Sequence, residues 1–123
     1  MGLDQYAKQV KSDYNHETLT ETTVKTEIAY WRKHNALHGW MEKLYRKKGG
    51  TKEFNCVPLE LVEADLEMLE LVITHKMLPE TGGFFFGSDS RFCEDYAIQT
   101  LDFIKEAKKY LAKGWEVAYD SWW

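Results

Sequence analysis

The chain has few residues of the kinds that cross-link or interrupt a small fold. Its 123 residues include only two cysteines, Cys56 and Cys93, and two prolines. The cysteines show no CxxC or zinc-type spacing, so the sequence favours two free thiols and leaves a structural disulfide as the alternative. A chain of this length can bury one core without cross-links, and we expect a single domain over residues 1–123.

Long hydrophobic runs and a basic excess are also missing. No run approaches membrane-spanning length, and the start, MGLDQYAKQV, lacks the apolar core of a signal peptide, so we expect no membrane partner. The formal net charge of −4 argues against nucleic acid as a partner. Local clusters of basic residues, such as Arg32 and Lys33, still allow a small anionic ligand.

Hydrophobic periodicity predicts an α+β fold that is mainly α-helical. Apolar residues recur at helical spacing over 23–48, 63–77 and 92–113, which predicts three main helices. Alternation near 115–120, together with the segment 57–61, predicts a small antiparallel pairing of two strands. Residues 1–22 hold few apolar side chains, and we interpret them as an amino-terminal arm that includes a short helix.

The predicted first helix carries unusual polar and aromatic side chains away from its apolar stripe. Residues three and four apart share a helix face, which would group Trp31, Asn35 and His38 beside Arg32 and Lys33. An arginine fork can bind phosphate or carboxylate, and an imidazole can donate to an anion. We expect these five residues to bind a ligand. The alternative is a solvated charge pair beside a structural histidine.

Glycines flank three phenylalanines in the segment GGFFFGS, residues 82–88. Glycine lets a ligand approach the main chain, and a helix start can bind an anion. We expect Trp31 or Phe85 to stack on a base, and Gly87 and Ser88 to complete an anion pocket that faces the polar stripe. The alternative is that the phenylalanines fill the core.

The sequence contains no recognisable catalytic, metal or cofactor motif. The histidines form no HExxH or HxH pattern, and the glycine-rich segment matches neither a Walker A motif nor a dinucleotide fingerprint. We therefore expect no metal and no cofactor. An enzyme is less favoured than a binding protein, because no nucleophile with a base and no carboxylate pair stands out.

Two stretches resemble a known family. Residues 30–40, YWRKHNALHGW, are similar to the signature YWRKxNxIHxW, and residues 78–88, LPETGGFFFGS, are similar to LPxTxGFFFGS. Both motifs occur in small, uncharacterised proteins that tailed bacteriophages and prophages encode. The resemblance covers about residues 24–123. His34 departs from the pattern because it stands where a small residue is usual, and Val62 stands where a serine would cap a helix.

The resemblance implies a phage accessory protein in the cytoplasm of an infected bacterial host. Such proteins counter host defence, some by trapping signalling nucleotides and some by blocking a defence protein. Sequestration of a phosphorylated, nucleotide-type molecule fits the stacking and anion-binding groups best. A protein-binding inhibitor of a host defence protein is the alternative, and a small hydrolase is the weakest.

Aromatic side chains also predict self-association. The chain has more large aromatic surface than one small core readily hides, so we expect a homo-oligomer, most simply a two-fold dimer. The residues behind this expectation are Trp40, Tyr45, Trp115, Trp122 and Trp123.

Overall fold

The computed structural model of the chain describes residues 2–81 and 90–123. Within these ranges the elements are β1 (Asp4–Asn15), β2 (Thr20–Arg32), α1 (Asn35–Lys47), β3 (Leu59–Leu61), α2 (Glu63–Thr74), α3 (Glu94–Ala112) and β4 (Glu116–Trp122). The strands form one antiparallel sheet in the order β2–β1–β4–β3.

The mainly helical fold predicted from the sequence is wrong. Helices hold 39% and strands 31% of the described residues, and the sheet has four strands rather than two. The helix predicted over 23–48 begins only at Asn35, because residues 20–32 form β2. Residues 4–15, interpreted above as part of an arm with a short helix, form β1, which lies between β2 and β4.

The composition of the first two strands explains the error. Gln5, Ala7 and Gln9 of β1 are buried at alternate positions, as a strand requires, but two of the three are polar. A search for apolar periodicity therefore misses the alternation. In β2, the threonines and Val24 favour a strand, because β-branched side chains pack well on a pleated surface.

The other predicted elements are confirmed, with small shifts at their ends. The second and third helices occur as α2 and α3. The predicted strand pairing occurs between β3 and β4, with Leu59 opposite Tyr119 and Leu61 opposite Val117.

One face of the sheet carries the core. Gln5 of β1 lies directly between Trp31 of β2 and Ser121 of β4, and all three are buried on this face. The Trp31 ring meets the Phe103 ring of α3 edge-on, with 5.2 Å between centroids. Its Nε1 donates to Oγ1 of Thr100 in the same helix, at 3.1 Å. Side chains from the helices thus cover the face that holds Gln5.

Beyond the shared sheet, β1 and β2 continue as a two-stranded hairpin arm, residues 11–24. Pairing of β1 with β4 ends at Val10, whereas pairing with β2 continues to Asn15. The side-chain oxygen of Asn15 accepts the backbone N–H groups of Glu17 and Thr18, at 2.9 and 3.3 Å, and so organises the turn. Most of the arm is exposed on both strands.

The large aromatic side chains are mostly accommodated within one chain. Tyr45 stacks on Phe54, and Nε1 of Trp123 donates to the backbone oxygen of Phe54 at 2.9 Å. Of the five aromatic residues behind the expected homo-oligomer, Trp122 is 66% exposed and the other four are partly buried. The homo-oligomer stays a prediction.

Candidate functional site

A buried glutamine joins the centre of the sheet to the start of α1. Gln5 has no exposed surface. Its Nε2 donates to the backbone oxygen of His34 and to the hydroxyl of Tyr119, both at 3.0 Å. Its Oε1 accepts the backbone N–H of His34 at 2.8 Å. Both amide donors are therefore used, and the junction between β2 and α1 is fixed against β1 and β4.

Tyr119 extends this network to His38. The Tyr119 hydroxyl lies 2.9 Å from Nδ1 of His38 and already accepts from Gln5. Among the described contacts, Nδ1 is the acceptor for the hydroxyl proton, so we assign the His38 proton to Nε2. Burial lowers the pKa of His38 to about 4 and raises the pKa of Tyr119, so both groups are neutral at pH 7.

Ser90 and Asn35 set the opposite tautomer in the second buried histidine, His34. Oδ1 of Asn35 accepts both the backbone N–H and the hydroxyl of Ser90, at 2.9 and 2.7 Å. With its proton committed to Asn35, Ser90 Oγ accepts from Nδ1 of His34 at 2.7 Å and from the N–H of Ala36 at 3.1 Å. His34 therefore carries its proton on Nδ1, and its Nε2 has a lone pair.

Nε2 of His34 is buried and has no hydrogen-bond partner in the described part of the chain. The residue is 1% exposed, and its ring stacks on Tyr96 with 4.5 Å between centroids and 5° between planes. Burial lowers the pKa of His34 to about 4, so the lone pair is available at pH 7. A buried acceptor without a partner costs roughly 1–3 kcal/mol, which makes this atom an exception to be explained.

A cleft of about 330 Å³ lies at His34, between the end of α2 and the start of α3, and we call it the α2–α3 cleft. Its size falls at the lower end of the range of small-molecule sites, roughly 300–1,000 Å³. The described residues that line it are His34, Ile73, Lys76, Leu78, Ser90, Arg91, Phe92, Cys93, Glu94, Ala97, Ile98 and Leu101.

The lining combines apolar walls with two cations and one exposed aromatic ring. Phe92 is 65% exposed, and the guanidinium carbon of Arg91 lies 5.0 Å from the centroid of its ring. Nη2 of Arg91 is 3.8 Å from Oε2 of Glu80, a longer distance than in a close charge-assisted pair. Lys76 forms no ion pair with any residue that the structure describes. Glu94 adds one carboxylate to the lining.

Lys76 occupies a backbone position that glycine usually fills. The N–H of Met77 bonds to the oxygen of Val72 at 2.8 Å, and the N–H of Lys76 bonds to Ile73 at 3.1 Å. These two bonds form a Schellman motif that ends α2, with Lys76 in the left-handed region at φ 55°. An L side chain at such a φ costs roughly 1–2 kcal/mol, so Lys76 carries local backbone strain.

Three residues of the predicted polar stripe are buried. Trp31 lies at the end of β2, where its indole donates to Thr100, rather than on a helix with the other two. Asn35 and His38 are on the inner face of α1 and belong to the network described above. The stripe does not form because the chain changes from strand to helix between Trp31 and Asn35.

The remaining predicted site residues lie at the surface or outside the described ranges. Arg32 is exposed, and its Nη1 lies 3.1 Å from Oδ1 of Asp4. Lys33 is exposed at φ 59°, and neither residue is among those lining the α2–α3 cleft. Phe85, Gly87 and Ser88 fall between residues 81 and 90, outside the part that the structure describes.

Reasoning from the sequence missed Gln5, Tyr119 and Ser90 as parts of the network, and it noted His34 only as a departure from the phage motif. The bonded partners of Gln5 lie 29 and 114 positions away, and Ser90 lies 56 positions from His34. No local pattern identifies such pairs. The alternation of β4 would have shown that Tyr119 faces the core, although not what it contacts.

Comparison of the chain with models of known protein families, with curated proteins and with solved structures found no match. The resemblance to phage proteins therefore stays a hypothesis that depends on the two motifs. In residues 2–81 and 90–123, no helix combines the length and the apolar character needed to cross a membrane.

Replacing Gln5 with methionine should destabilise the fold. The Gln5→Met variant leaves the backbone N–H and oxygen of His34 without their partner, and each such buried group costs roughly 1–3 kcal/mol. We expect the free energy of unfolding in urea to fall by about 3 kcal/mol. Gln9→Met is the matched control, because Gln9 is buried on the same face of β1 and its side chain forms no hydrogen bond with the described residues. Equal losses in the two variants would contradict the role assigned to Gln5.

Stability should also fall between pH 6.5 and pH 4. Burial lowers the pKa of His34 and of His38 from 6.5 to about 4 in the folded protein. In this range the unfolded chain binds protons that the folded protein does not, so the free energy of unfolding decreases as pH decreases. The loss at pH 5 relative to pH 7.5 is about 2 kcal/mol per histidine. Urea unfolding at the two pH values measures it.

The His38→Asn variant isolates one of these contributions. Asparagine can accept from the Tyr119 hydroxyl but does not titrate, so this variant should lose less stability between pH 7.5 and pH 5 than the parent protein. His75→Asn is the control, because His75 is exposed. A pH dependence that is the same in all three proteins would show that the buried histidines are not its source.

Proposed function

We propose that the chain is a binding protein that sequesters a small phosphorylated, nucleotide-type molecule in the α2–α3 cleft. The observation that carries the proposal is the combination, in one cleft, of apolar walls, an exposed aromatic ring and two cations. In the setting that the phage motifs imply, the protein is an accessory protein. It counters host defence in the cytoplasm of the infected bacterium by removing a signalling molecule.

The charges in the cleft match a phosphate group. Arg91 offers a planar fork for two phosphate oxygens, and its Nη2 lies 3.8 Å from Oε2 of Glu80. Lys76 adds a point charge without an ion-pair partner among the described residues. Among the described residues that line the cleft, Glu94 is the one carboxylate, and Glu80 lies 3.8 Å from Arg91. Lys76 is therefore the cation of the lining whose charge has no ion-pair partner in the described part of the chain.

The apolar part of the cleft matches a flat base. Ile73, Leu78 and Leu101 are among the aliphatic lining residues, and the ring of Phe92 is largely open to solvent. An exposed aromatic face can stack on a nucleobase, which is worth about 1–3 kcal/mol. A ligand with a base and a phosphate therefore uses both halves of the lining.

The hydrogen bonds of the cleft favour binding over hydrolysis. Ser90 donates its hydroxyl proton to Asn35 and accepts from Nδ1 of His34. A histidine that donates to a serine cannot remove the proton of that serine, so this pair is not an activated nucleophile. Sequestration requires no such step.

Replacing Lys76 with glycine should strengthen the fold and weaken ligand binding. Glycine removes the strain at φ 55°, and we expect the free energy of unfolding to rise by roughly 1 kcal/mol. Loss of a charge-assisted contact commonly costs about 1.5–3 kcal/mol, or roughly 10-fold to 100-fold in affinity. Calorimetric titration with a panel of nucleoside monophosphates and cyclic dinucleotides measures the affinity.

Lys33→Gly is the matched control for this prediction. Lys33 is an exposed lysine at nearly the same φ, 59°, but it does not line the cleft. This variant should gain similar stability and keep full affinity. A loss of affinity in Lys33→Gly alone would place the site at the surface around Lys33 instead. Absence of binding by the parent protein across the panel would overturn the proposal, and recovery of hydrolysed ligand would identify an enzyme.

A second candidate function, inhibition of a host defence protein, is favoured by the hairpin arm. Leu19 at its tip is 74% exposed and adopts φ 56°, a conformation unusual for leucine. Tyr14 and Val24 are also exposed. A two-stranded ribbon has unpaired backbone groups along its edges, which another protein can extend by adding a strand.

Removing the arm tests this second function. Replacing residues 13–22 with Asn-Gly would join Ser12 to Thr23, which are paired in the hairpin, through a two-residue turn. We expect a nearly unchanged melting temperature, because the arm is exposed, and loss of a host protein that the parent chain retains from bacterial extract. Equal retention by both proteins, or retention of no host protein, would exclude the arm as the binding surface.

A further inference from the structure

We propose that Nε2 of His34 accepts a hydrogen bond from the exocyclic amino group of a nucleobase in the α2–α3 cleft. The inference depends on the proposed function of the cleft and specifies which part of the ligand the buried histidine recognises. It begins from the one ring nitrogen of His34 that lacks a partner in the described residues.

The hydrogen bonds around Ser90 determine the chemical character of this nitrogen. The hydroxyl proton of Ser90 goes to Asn35, so Nδ1 of His34 must supply the proton in the 2.7 Å contact with Ser90. Nε2 is then an acceptor and not a donor. Because burial keeps the imidazole neutral at pH 7, this nitrogen cannot bind a phosphate oxygen, which is also an acceptor.

The surroundings of His34 hold the acceptor in a fixed position. Gln5 binds both the backbone N–H and the backbone oxygen of the residue, at 2.8 and 3.0 Å. Ser90 fixes one edge of the ring, and the stacked ring of Tyr96 fixes one face. A group that is ordered before binding loses little conformational entropy when a ligand arrives. Little of the free energy that the hydrogen bond contributes to binding is therefore lost.

Because His34 lines the cleft, we expect a donor group of a ligand to be the partner of its Nε2. His34 is one of the residues that line the cleft, although only 1% of its surface is exposed. A ligand with a donor group supplies the hydrogen-bond partner that Nε2 lacks among the described residues. A ligand without one leaves the acceptor buried and unpaired, and sites of this kind discriminate strongly against such analogues.

The cations of the cleft restrict which donor fits. Lys76 and Arg91 favour an anionic group, whereas Nε2 of His34 can accept from a neutral N–H or O–H group on the same molecule. A nucleotide offers both at separate ends. The exocyclic amino group lies in the plane of the base. The apolar walls of the cleft can therefore contact the faces of the ring while the amino group at the edge of the ring reaches the histidine.

Two nucleotides that differ in one amino group test the proposal. AMP carries the exocyclic amino group, and purine riboside 5′-monophosphate lacks it but keeps the same sugar and phosphate. By calorimetric titration of the parent protein, we expect AMP to bind about 10-fold to 100-fold more tightly. In His34→Asn, which keeps a polar atom near Ser90 but has no group at the Nε2 position, the two affinities should become equal.

The outcomes separate this inference from the proposed function. Equal binding of both nucleotides by the parent protein, or a preference for AMP that survives in His34→Asn, overturns the role of His34 and leaves the nucleotide site in place. Failure of both nucleotides to bind at millimolar concentration overturns the inference together with the nucleotide site. Lys76→Gly should weaken both nucleotides alike, because it removes a phosphate contact and not a base contact.

A spectroscopic measurement keeps the proposal testable if His34→Asn fails to fold. In the parent protein labelled with ¹⁵N histidine, the resonance of the unprotonated Nε2 of His34 should shift when AMP is added. Purine riboside 5′-monophosphate at equal saturation should leave it nearly unchanged. The same shift with both ligands, or no shift with AMP, would overturn the assignment.

Discussion

The side-chain amide of Gln5 is the interaction on which the other parts of this structure depend. It makes three hydrogen bonds from a strand in the middle of the sheet, two to the backbone of His34 and one to the hydroxyl of Tyr119. These bonds fix where β2 ends and α1 begins, and they fix a tyrosine on β4. Because the amide is fully buried, its partners would lose their hydrogen bonds away from bulk water if it moved.

The same amide places two histidines in similar surroundings with different results. His34 and His38 are both buried, and burial lowers both pKa values to about 4. His38 faces a hydroxyl that donates to its Nδ1, whereas His34 faces a hydroxyl that must accept from its Nδ1. The neighbouring group, and not the burial, therefore decides which tautomer each ring adopts. For His34 this leaves a buried acceptor that the described residues do not satisfy.

The sequence was a good guide to elements that bury a simple apolar face. Leu66, Leu69 and Ile73 repeat at helical spacing and are buried in α2, as their pattern predicted. The sequence was a poor guide where polar side chains occupy buried positions. The buried positions of β1 include two glutamines. When the buried residues of a strand include glutamine, their alternation in the sequence resembles that of an exposed segment until the partners of the amide are known. The long first helix was predicted for a different reason, since most of β2 is exposed and the strand therefore shows no alternation of buried apolar residues.

The candidate site was harder to predict than the fold, because its residues depart from the local preferences on which sequence patterns depend. Lys76 stands at a helix end where glycine is favoured, and His34 has a buried ring nitrogen without a partner in the described residues. Each departure has a physical cost, in backbone strain for Lys76 and in an unpaired acceptor for His34. Both residues line one cleft, although 42 positions separate them in the chain. Independent costs that converge on one cavity are expected of a site that binds a ligand, because contacts with the ligand can offset costs that contacts within the described part of the chain do not.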